Sequence, residues 1–123
     1  MNTKQKGDIA IGNAIRYYLG AGFEVCLPIG DKRHYDLIIE KDRVLRRVQV
    51  KYAGLYGNGH CIASLRITGG NQSYNYAKKY EDNDFDELFV YSAKQECYVI
   101  PWDKVVCRNA ITVDDKKYAS YKC

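Results

Sequence analysis

The sequence predicts one α/β or α+β domain built around a mixed β-sheet. A chain of 123 residues, 46% of them apolar, is long enough for one hydrophobic core and too short for two. One segment with helical periodicity comes first, and a series of segments with strand periodicity follows it. No internal repeat or linker interrupts them, so we expect residues 1–123 to form a single domain.

The helix is predicted over residues 3–19, where apolar side chains from Ile11 to Leu19 recur at helical spacing. Thr3 is a candidate N-cap, and Gly20 is typical of a helix end. Alternating apolar residues and turn residues define the other elements. These are strands at 23–29, 35–40, 46–53, 61–67, 87–92 and 97–105, loops at 54–60 and 68–76, and a short helix at 76–82.

The composition argues against several classes of protein. Five cysteines without a Cys-x-x-Cys pair do not suit a disulfide framework or a zinc site. With only His34 and His60, a histidine-rich metal site or a Ser-His-Asp triad is disfavoured. No apolar run approaches the ~20 residues needed to cross a bilayer, and the N-terminus lacks the apolar stretch of a secretory signal. We therefore expect a cytoplasmic protein with no membrane partner.

The charged residues are unevenly distributed. Residues 52–80 contain no acidic side chain, whereas residues 81–123 contain nine. Such asymmetry suits a basic face that binds a polyanion, with the acidic part turned away from it. The alternative for 52–80 is a pair of solvated polar loops.

A β-hairpin formed by strands 35–40 and 46–51 would bring three polar side chains together. If residue 40 lies opposite residue 45, Asp36 lies opposite Gln49, with Cβ atoms about 4.5–5.5 Å apart. Lys51 is two residues further along the strand and therefore on the same face. The other face carries the apolar residues expected in the core, which are Leu37, Ile39, Val48 and Val50.

A carboxylate and a neighbouring oxygen can hold Mg²⁺, which keeps several of its waters. A lysine beside them can orient or deprotonate an attacking water, or balance the charge of a phosphate. The alternative is a surface Asp–Lys pair next to an amide, which contributes roughly 0–1 kcal/mol.

The residues around this hairpin resemble a known nuclease motif. The stretch PIGDKRHYD, residues 28–36, followed by QVK, residues 49–51, is similar to the motif of the PD-(D/E)XK nuclease superfamily. The helix containing KGDI and the strands FDELFVY and CYVIP also resemble that superfamily, so the similarity spans roughly residues 4–105. Within it, the chain most resembles homing endonucleases encoded in cyanobacterial group I introns. The resemblance implies a restriction-endonuclease-like fold, a mixed sheet flanked by helices.

The resemblance also implies roles for individual residues. Asp36 takes the place of the first acid of the motif and is a metal ligand, Gln49 takes the D/E position and Lys51 is the motif lysine. Asp36, Gln49 and the backbone carbonyl of Val50 would hold Mg²⁺, for which Mn²⁺ would substitute.

Two departures from the motif affect the metal site. Gln49 offers a neutral oxygen where most relatives have a carboxylate, which weakens metal binding. Relatives often add a glutamate from the first helix, and the matching position here is Ile11, with Asp8 one turn earlier. Ile11 is either an ordinary core residue or the point where the helix passes the active site.

The resemblance implies a sequence-specific endonuclease that hydrolyses phosphodiester bonds of double-stranded DNA with Mg²⁺. One alternative is a structure-selective nuclease like a Holliday junction resolvase, and another is a DNA-binding protein with a degenerate, inactive site. Each chain has one candidate site and duplex DNA has two strands, so we expect a homo-oligomer, at least a dimer, and a tetramer is compatible. The expected DNA contacts, concentrated around 52–80, are Lys6, Lys32, Arg33, Tyr35, Tyr56, Asn58, His60, Arg66, Asn71, Gln72, Tyr74, Asn75, Lys78 and Lys79.

Overall fold

The computed structural model describes residues 1–30, 33–70 and 75–123. One helix packs against a mixed β-sheet, which confirms the predicted fold class. In the described part of the chain, none of the helices combines the length and apolarity needed to span a membrane. The elements are α1 (Thr3–Gly20), β1 (Glu24–Cys26), β2 (Leu37–Lys41), β3 (Val44–Leu55), β4 (Cys61–Ser64), β5 (Arg66–Gly70), β6 (Asn75–Lys79), β7 (Glu87–Ser92), β8 (Cys97–Pro101) and β9 (Ala110–Thr112), with short 3-10 helices at Trp102–Lys104 and Lys116–Tyr121.

Helix α1 begins with a capping box. The side chain of Asn2 accepts a hydrogen bond from the backbone N–H of Gln5 at 2.9 Å, and the Gln5 side chain accepts one from the backbone of Asn2. Asn2 is therefore the N-cap, and the expectation that Thr3 caps the helix is wrong by one residue. Asn2 is favoured over Thr3 as the N-cap because the Asn-x-x-Gln spacing satisfies two backbone donors at once. After the helix, Gly22 has a φ of +90°, a conformation that glycine adopts without strain.

Strand β3 is the longest strand and organises the sheet. Its first half pairs antiparallel with β2, its middle pairs parallel with β7, and its last residues pair with β4. The sheet continues outward through β1 next to β2, β8 next to β7 and β9 next to β4. Because β3 contacts all these partners, residues 48–53 lie at the centre of the sheet.

Two clusters of buried side chains cover the two faces of the sheet. The helix-side core lies between α1 and the sheet, and the distal core lies on the opposite face. The helix-side core comprises Ala10, Ala14, Tyr18, Leu37, Ile39, Val48, Val50 and Phe89. The distal core comprises Ala53, Cys61, Ala63, Leu65, Tyr80, Phe85, Leu88, Val90, Tyr98, Ile100, Trp102, Val105, Ile111, Val113 and Tyr118.

The segment after β3 differs from the expected strand, loop and helix. The strand expected at 61–67 is divided at Leu65 into β4 and β5. Strand β5 extends into the expected loop, and β6 replaces most of the helix expected at 76–82. Pairing of β5 with β6 satisfies backbone groups that a helix would otherwise satisfy internally.

Other differences lie near the ends of elements. Strand β1 covers three residues of the seven expected, and β9 and the second 3-10 helix were not expected. Four of the expected DNA contacts lie outside the described residues, namely Lys32, Asn71, Gln72 and Tyr74.

Candidate active site

The β2–β3 hairpin brings Asp36 and Gln49 together. Its two-residue turn, Asp42-Arg43, has positive φ angles of 53° and 69°, as a type I′ turn requires. The turn sets the register that places Glu40 opposite Leu45, which confirms the predicted pairing. The backbone N–H of Asp36 donates to the carbonyl of Val48 at 2.8 Å and extends the ladder by one residue.

The Asp36 carboxylate is held by two hydrogen bonds from β3. Its Oδ2 accepts from the side-chain amide of Gln49 at 2.9 Å and from the backbone N–H of Val50 at 2.9 Å. The same Gln49 nitrogen also donates to the carbonyl oxygen of Val50 at 3.3 Å. Gln49 is buried, and its amide therefore lies between two oxygen atoms that belong to the predicted metal-binding set.

The environment of Asp36 disfavours an isolated negative charge. Burial raises the pKa of Asp36, while the hydrogen bond from the Val50 backbone and the positive charge of Lys51 act in the opposite direction. Burial has the larger effect, so the local donors do not fully replace water around the carboxylate. A cation bound at this position would stabilise the ionised form.

Lys51 lies on the same face of β3 as Gln49. Their neighbours on β7 are Val90 and Leu88, which belong to the distal core. The face that carries the polar cluster is therefore continuous with a buried core. The Nζ atom of Lys51 lies 5.1 Å from the ring centroid of Tyr80, a residue that the sequence did not single out.

The two candidate positions on α1 occupy different environments. Ile11 is half-buried and packs against the helix-side core, to which Val50 also belongs. Asp8 is exposed and forms an i,i+4 ion pair with Lys4 at 3.8 Å. The structure thus packs Ile11 against the core that contains Val50 and pairs Asp8 with a surface lysine.

A cleft next to the cluster lies between α1 and the sheet. Its volume is about 560 Å³. Of its described lining residues, Lys6, Lys51 and Arg66 are cationic, and none is acidic. Exposed Tyr56 lies at the same cleft. The structure therefore brings three predicted DNA contacts together with the motif lysine. The cleft is lined by Thr3, Lys6, Gly7, Val50, Lys51, Tyr52, Gly54, Tyr56, Ile62, Ser64 and Arg66.

The remaining described residues of the predicted DNA surface are dispersed. Lys78 and Lys79 are exposed on β6, the strand that begins at Asn75. Arg33 and Tyr35, which precede Asp36 in the sequence, line a separate pocket of about 300 Å³.

Asn58 and His60 already have partners within the fold. The Asn58 side chain accepts a hydrogen bond from the backbone N–H of His60 at 3.0 Å. The ring of His60 lies 3.3 Å from a carboxylate oxygen of Asp114. These contacts shape the loop between β3 and β4.

The oxygen atoms of the cluster suit Mg²⁺ bound with several waters. Among the described residues, no three His, Cys, Asp or Glu side chains are close enough to hold a metal by themselves. Asp36 and the Val50 carbonyl nevertheless point at one position, the Gln49 amide nitrogen. Rotation of that amide would offer its oxygen there instead. Few protein ligands and retained waters are the arrangement that Mg²⁺ prefers.

The fold and the cluster together define a nuclease. The chain belongs to the PD-(D/E)XK endonuclease family, whose model matches residues 1–119. This confirms the resemblance found in the sequence.

Among solved structures, the chain is similar to the bacterial homing endonuclease I-Ssp6803I. The sequences are 30% identical, the TM-score is 0.87, and the match covers 99% of this chain and 89% of the other. No curated protein sequence matches the chain.

Proposed function

We propose that this nuclease is a Mg²⁺-dependent, sequence-specific endonuclease that hydrolyses phosphodiester bonds of double-stranded DNA. The proposal is carried by one observation, the convergence of Asp36, Gln49 and the Val50 carbonyl next to Lys51. Membership of an endonuclease family supports hydrolysis, and the likeness to a homing endonuclease supports recognition of a defined sequence.

In this proposal, Asp36, Gln49 and the Val50 carbonyl hold Mg²⁺, with Mn²⁺ as a substitute. A bound ion would supply Lewis-acid stabilisation of the phosphate and would lower the pKa of a water. Lys51, on the same face, orients the attacking water and balances negative charge on the phosphate in the transition state. The distal core keeps water away from one side of the cluster, which strengthens these electrostatic contacts.

The basic cleft and the β5–β6 hairpin form the proposed DNA surface. Lys6 and Arg66 line the cleft together with Lys51, so a DNA backbone that enters it would come close to the cluster. Exposed Lys78 and Lys79 extend the positive charge onto β6. Arginine, asparagine and glutamine side chains in this region would read base edges, while the lysines contact phosphates.

Two copies of the chain are needed to cut both strands with one site each. A two-fold symmetric dimer would present its clusters to the two strands of an approximately symmetric target. A tetramer built from such dimers would satisfy the same requirement.

Cleavage by purified variants tests the proposal. Asp36→Asn and Lys51→Ala should each abolish cleavage of target DNA in Mg²⁺ or Mn²⁺, because each removes a group that acts on the metal or phosphate, at a cost of several kcal/mol. DNA binding should persist. Asp103→Asn and Lys104→Ala, two exposed positions outside the cluster, should cut at the wild-type rate.

Three results would contradict the proposal in different ways. Full cleavage by Asp36→Asn or Lys51→Ala would exclude this site. Cleavage of mobile four-way junctions regardless of sequence would indicate a junction-resolving nuclease. Binding by the wild-type protein without cleavage in either metal would indicate a DNA-binding protein with an inactive site.

A further inference from the structure

We propose that Tyr80 is a positioning residue for Lys51. The Tyr80 ring supports the Lys51 ammonium group and directs it toward Asp36. This inference rests on the proposed function, because the catalytic role of Lys51 belongs to that proposal. Tyr80 lies 29 positions after Lys51 in the sequence and outside the nuclease motif.

The contact is of the cation–π type. The Lys51 Nζ atom lies 5.1 Å from the Tyr80 ring centroid, within the range in which the negative face of an aromatic ring attracts an ammonium group. Tyr80 is 92% buried, since only 8% of its surface is exposed, and this exclusion of water strengthens the attraction. The same ring meets His34 edge-on, with centroids 6.0 Å apart. Tyr80 therefore lies close both to Lys51 and to His34, which is two residues before Asp36.

The ring itself is fixed from behind by two other aromatic residues. Phe85 meets it at 5.1 Å and Trp102 at 6.1 Å, both at steep angles. The indole N–H of Trp102 also donates to the carbonyl of Glu81 at 3.0 Å, which anchors the backbone directly after Tyr80. Tyr80 is thus a rigid support.

Lys51 needs such a support because its side chain is flexible. A lysine side chain has a four-carbon stem with many rotamers, and a catalytic group must be held in one geometry. Within the described residues, no carboxylate forms an ion pair with Lys51 at 4 Å or less, and the charge of Asp36 interacts with it without such a contact. The Tyr80 ring is the contact that restricts its ammonium group.

Single-turnover cleavage by matched variants tests this role. Tyr80→Leu should lower the rate at saturating DNA and Mg²⁺ by at least about fivefold, because it removes the ring beneath Lys51. The DNA dissociation constant should stay within about twofold, since the ring is buried and offers little surface to DNA. Tyr80→Phe keeps the ring and should retain the rate. Val113→Ala, which removes buried side-chain volume from the same distal core beside Cys61 on β4, should lower the melting temperature but keep the rate.

NMR gives a second measurement that does not depend on cleavage. In the wild-type protein the ε-methylene protons of Lys51 should resonate upfield of those of exposed lysines, owing to the Tyr80 ring current. In Tyr80→Leu they should return to the ordinary position.

The outcomes separate this inference from the proposed function. Ordinary Lys51 shifts in the wild-type protein, or wild-type cleavage by Tyr80→Leu, would overturn the positioning role. An equal loss of rate in Val113→Ala would also overturn it, because a general packing defect would then explain both variants. A wild-type protein that shows the ring-current shift but cuts no DNA would refute the proposed function while the lysine contact stands.

Discussion

Replacing Ile11 with glutamate tests whether α1 borders the active site. Ile11 is half-buried against the helix-side core, and Gly7, one turn earlier, lines the cleft together with Val50 and Lys51. Helical side chains lean toward the N-terminus, so a carboxylate at position 11 would extend toward the turn that contains Gly7. We therefore expect Ile11→Glu to fold, to bind Mg²⁺ more tightly and to keep or increase cleavage.

The expected change in stability follows from the burial of Ile11. Full burial of an isoleucine side chain contributes about 1.5–3 kcal/mol, so loss of a half-buried one should cost about 1 kcal/mol. For a chain of this size, that lowers the melting temperature by about 4 °C. Mg²⁺ at roughly ten times its dissociation constant would return about 1.4 kcal/mol if it binds only the folded state. The variant should therefore be less stable than wild type without Mg²⁺, and with Mg²⁺ it should be about as stable as the metal-free wild type.

Melting temperatures with and without Mg²⁺, measured beside cleavage rates, provide the assay. Ile15→Glu is the matched control, because Ile15 packs against the same core one turn farther from the cleft. Its loss of stability should not respond to Mg²⁺. If Ile11→Glu instead loses more than about 10 °C and Mg²⁺ restores none of it, the glutamate is an unpaired charge in an ordinary core position. Asp36 and Gln49 would then hold the metal without help from α1.

Three further predictions concern charge and assembly. Charge reversal at both Lys78 and Lys79, exposed on β6, should weaken DNA binding and reduce the slope of log affinity against log salt by up to about 2, whereas Lys116→Glu should change neither. Unchanged affinity would remove β6 from the DNA surface. Burial alone would raise the pKa of Asp114, but hydrogen bonds, the one from Lys94 foremost, lower its pKa to about 2. The ionised Asp114 therefore stabilises the fold at pH values above about 3.9, the pKa of an unfolded aspartate, and this stabilisation is lost as the pH falls toward 2. Asp114→Asn should lower the free energy of unfolding by about 1–2 kcal/mol at pH 7 and by much less near pH 2, and an equal loss at both values would contradict this linkage. Sedimentation should show at least a dimer, and a stable monomer both free and on DNA would exclude the proposed symmetric assembly.

The core of the candidate site could be predicted because its geometry is local. The hairpin has a two-residue turn, and a one-residue slip would move buried Leu37 and Val48 to the wrong face. The register therefore follows from the sequence pattern, and with it the contact between Asp36 and Gln49.

The rest of the site depends on contacts between distant parts of the chain. The parallel pairing of β3 with β7 places Lys51 next to Val90, so its face of the sheet borders the distal core. No short-range sequence pattern specifies β7 as the partner strand. For the same reason, Tyr80 could not be found from the sequence, since it meets Lys51 only through tertiary packing. The β5–β6 hairpin was missed because its glycine-rich and lysine-rich composition is weak for strands, and backbone pairing overrides that preference.

The position of Gln49 explains how the site tolerates a departure from the family motif. A glutamate there would bring a second negative charge next to Asp36, whose ionised carboxylate is already destabilised by burial. The amide instead donates hydrogen bonds to Asp36 and to the Val50 carbonyl, so Gln49 stabilises the folded site by itself. In the proposed function, these bonds would be exchanged when the amide turns its oxygen toward a metal, which would lower the net gain from binding that metal. In the proposed function, a neutral residue would make the site less dependent on Mg²⁺ for folding and more dependent on Lys51 for charge balance during cleavage. The proposed contact of Lys51 with Tyr80 would then matter more in this chain.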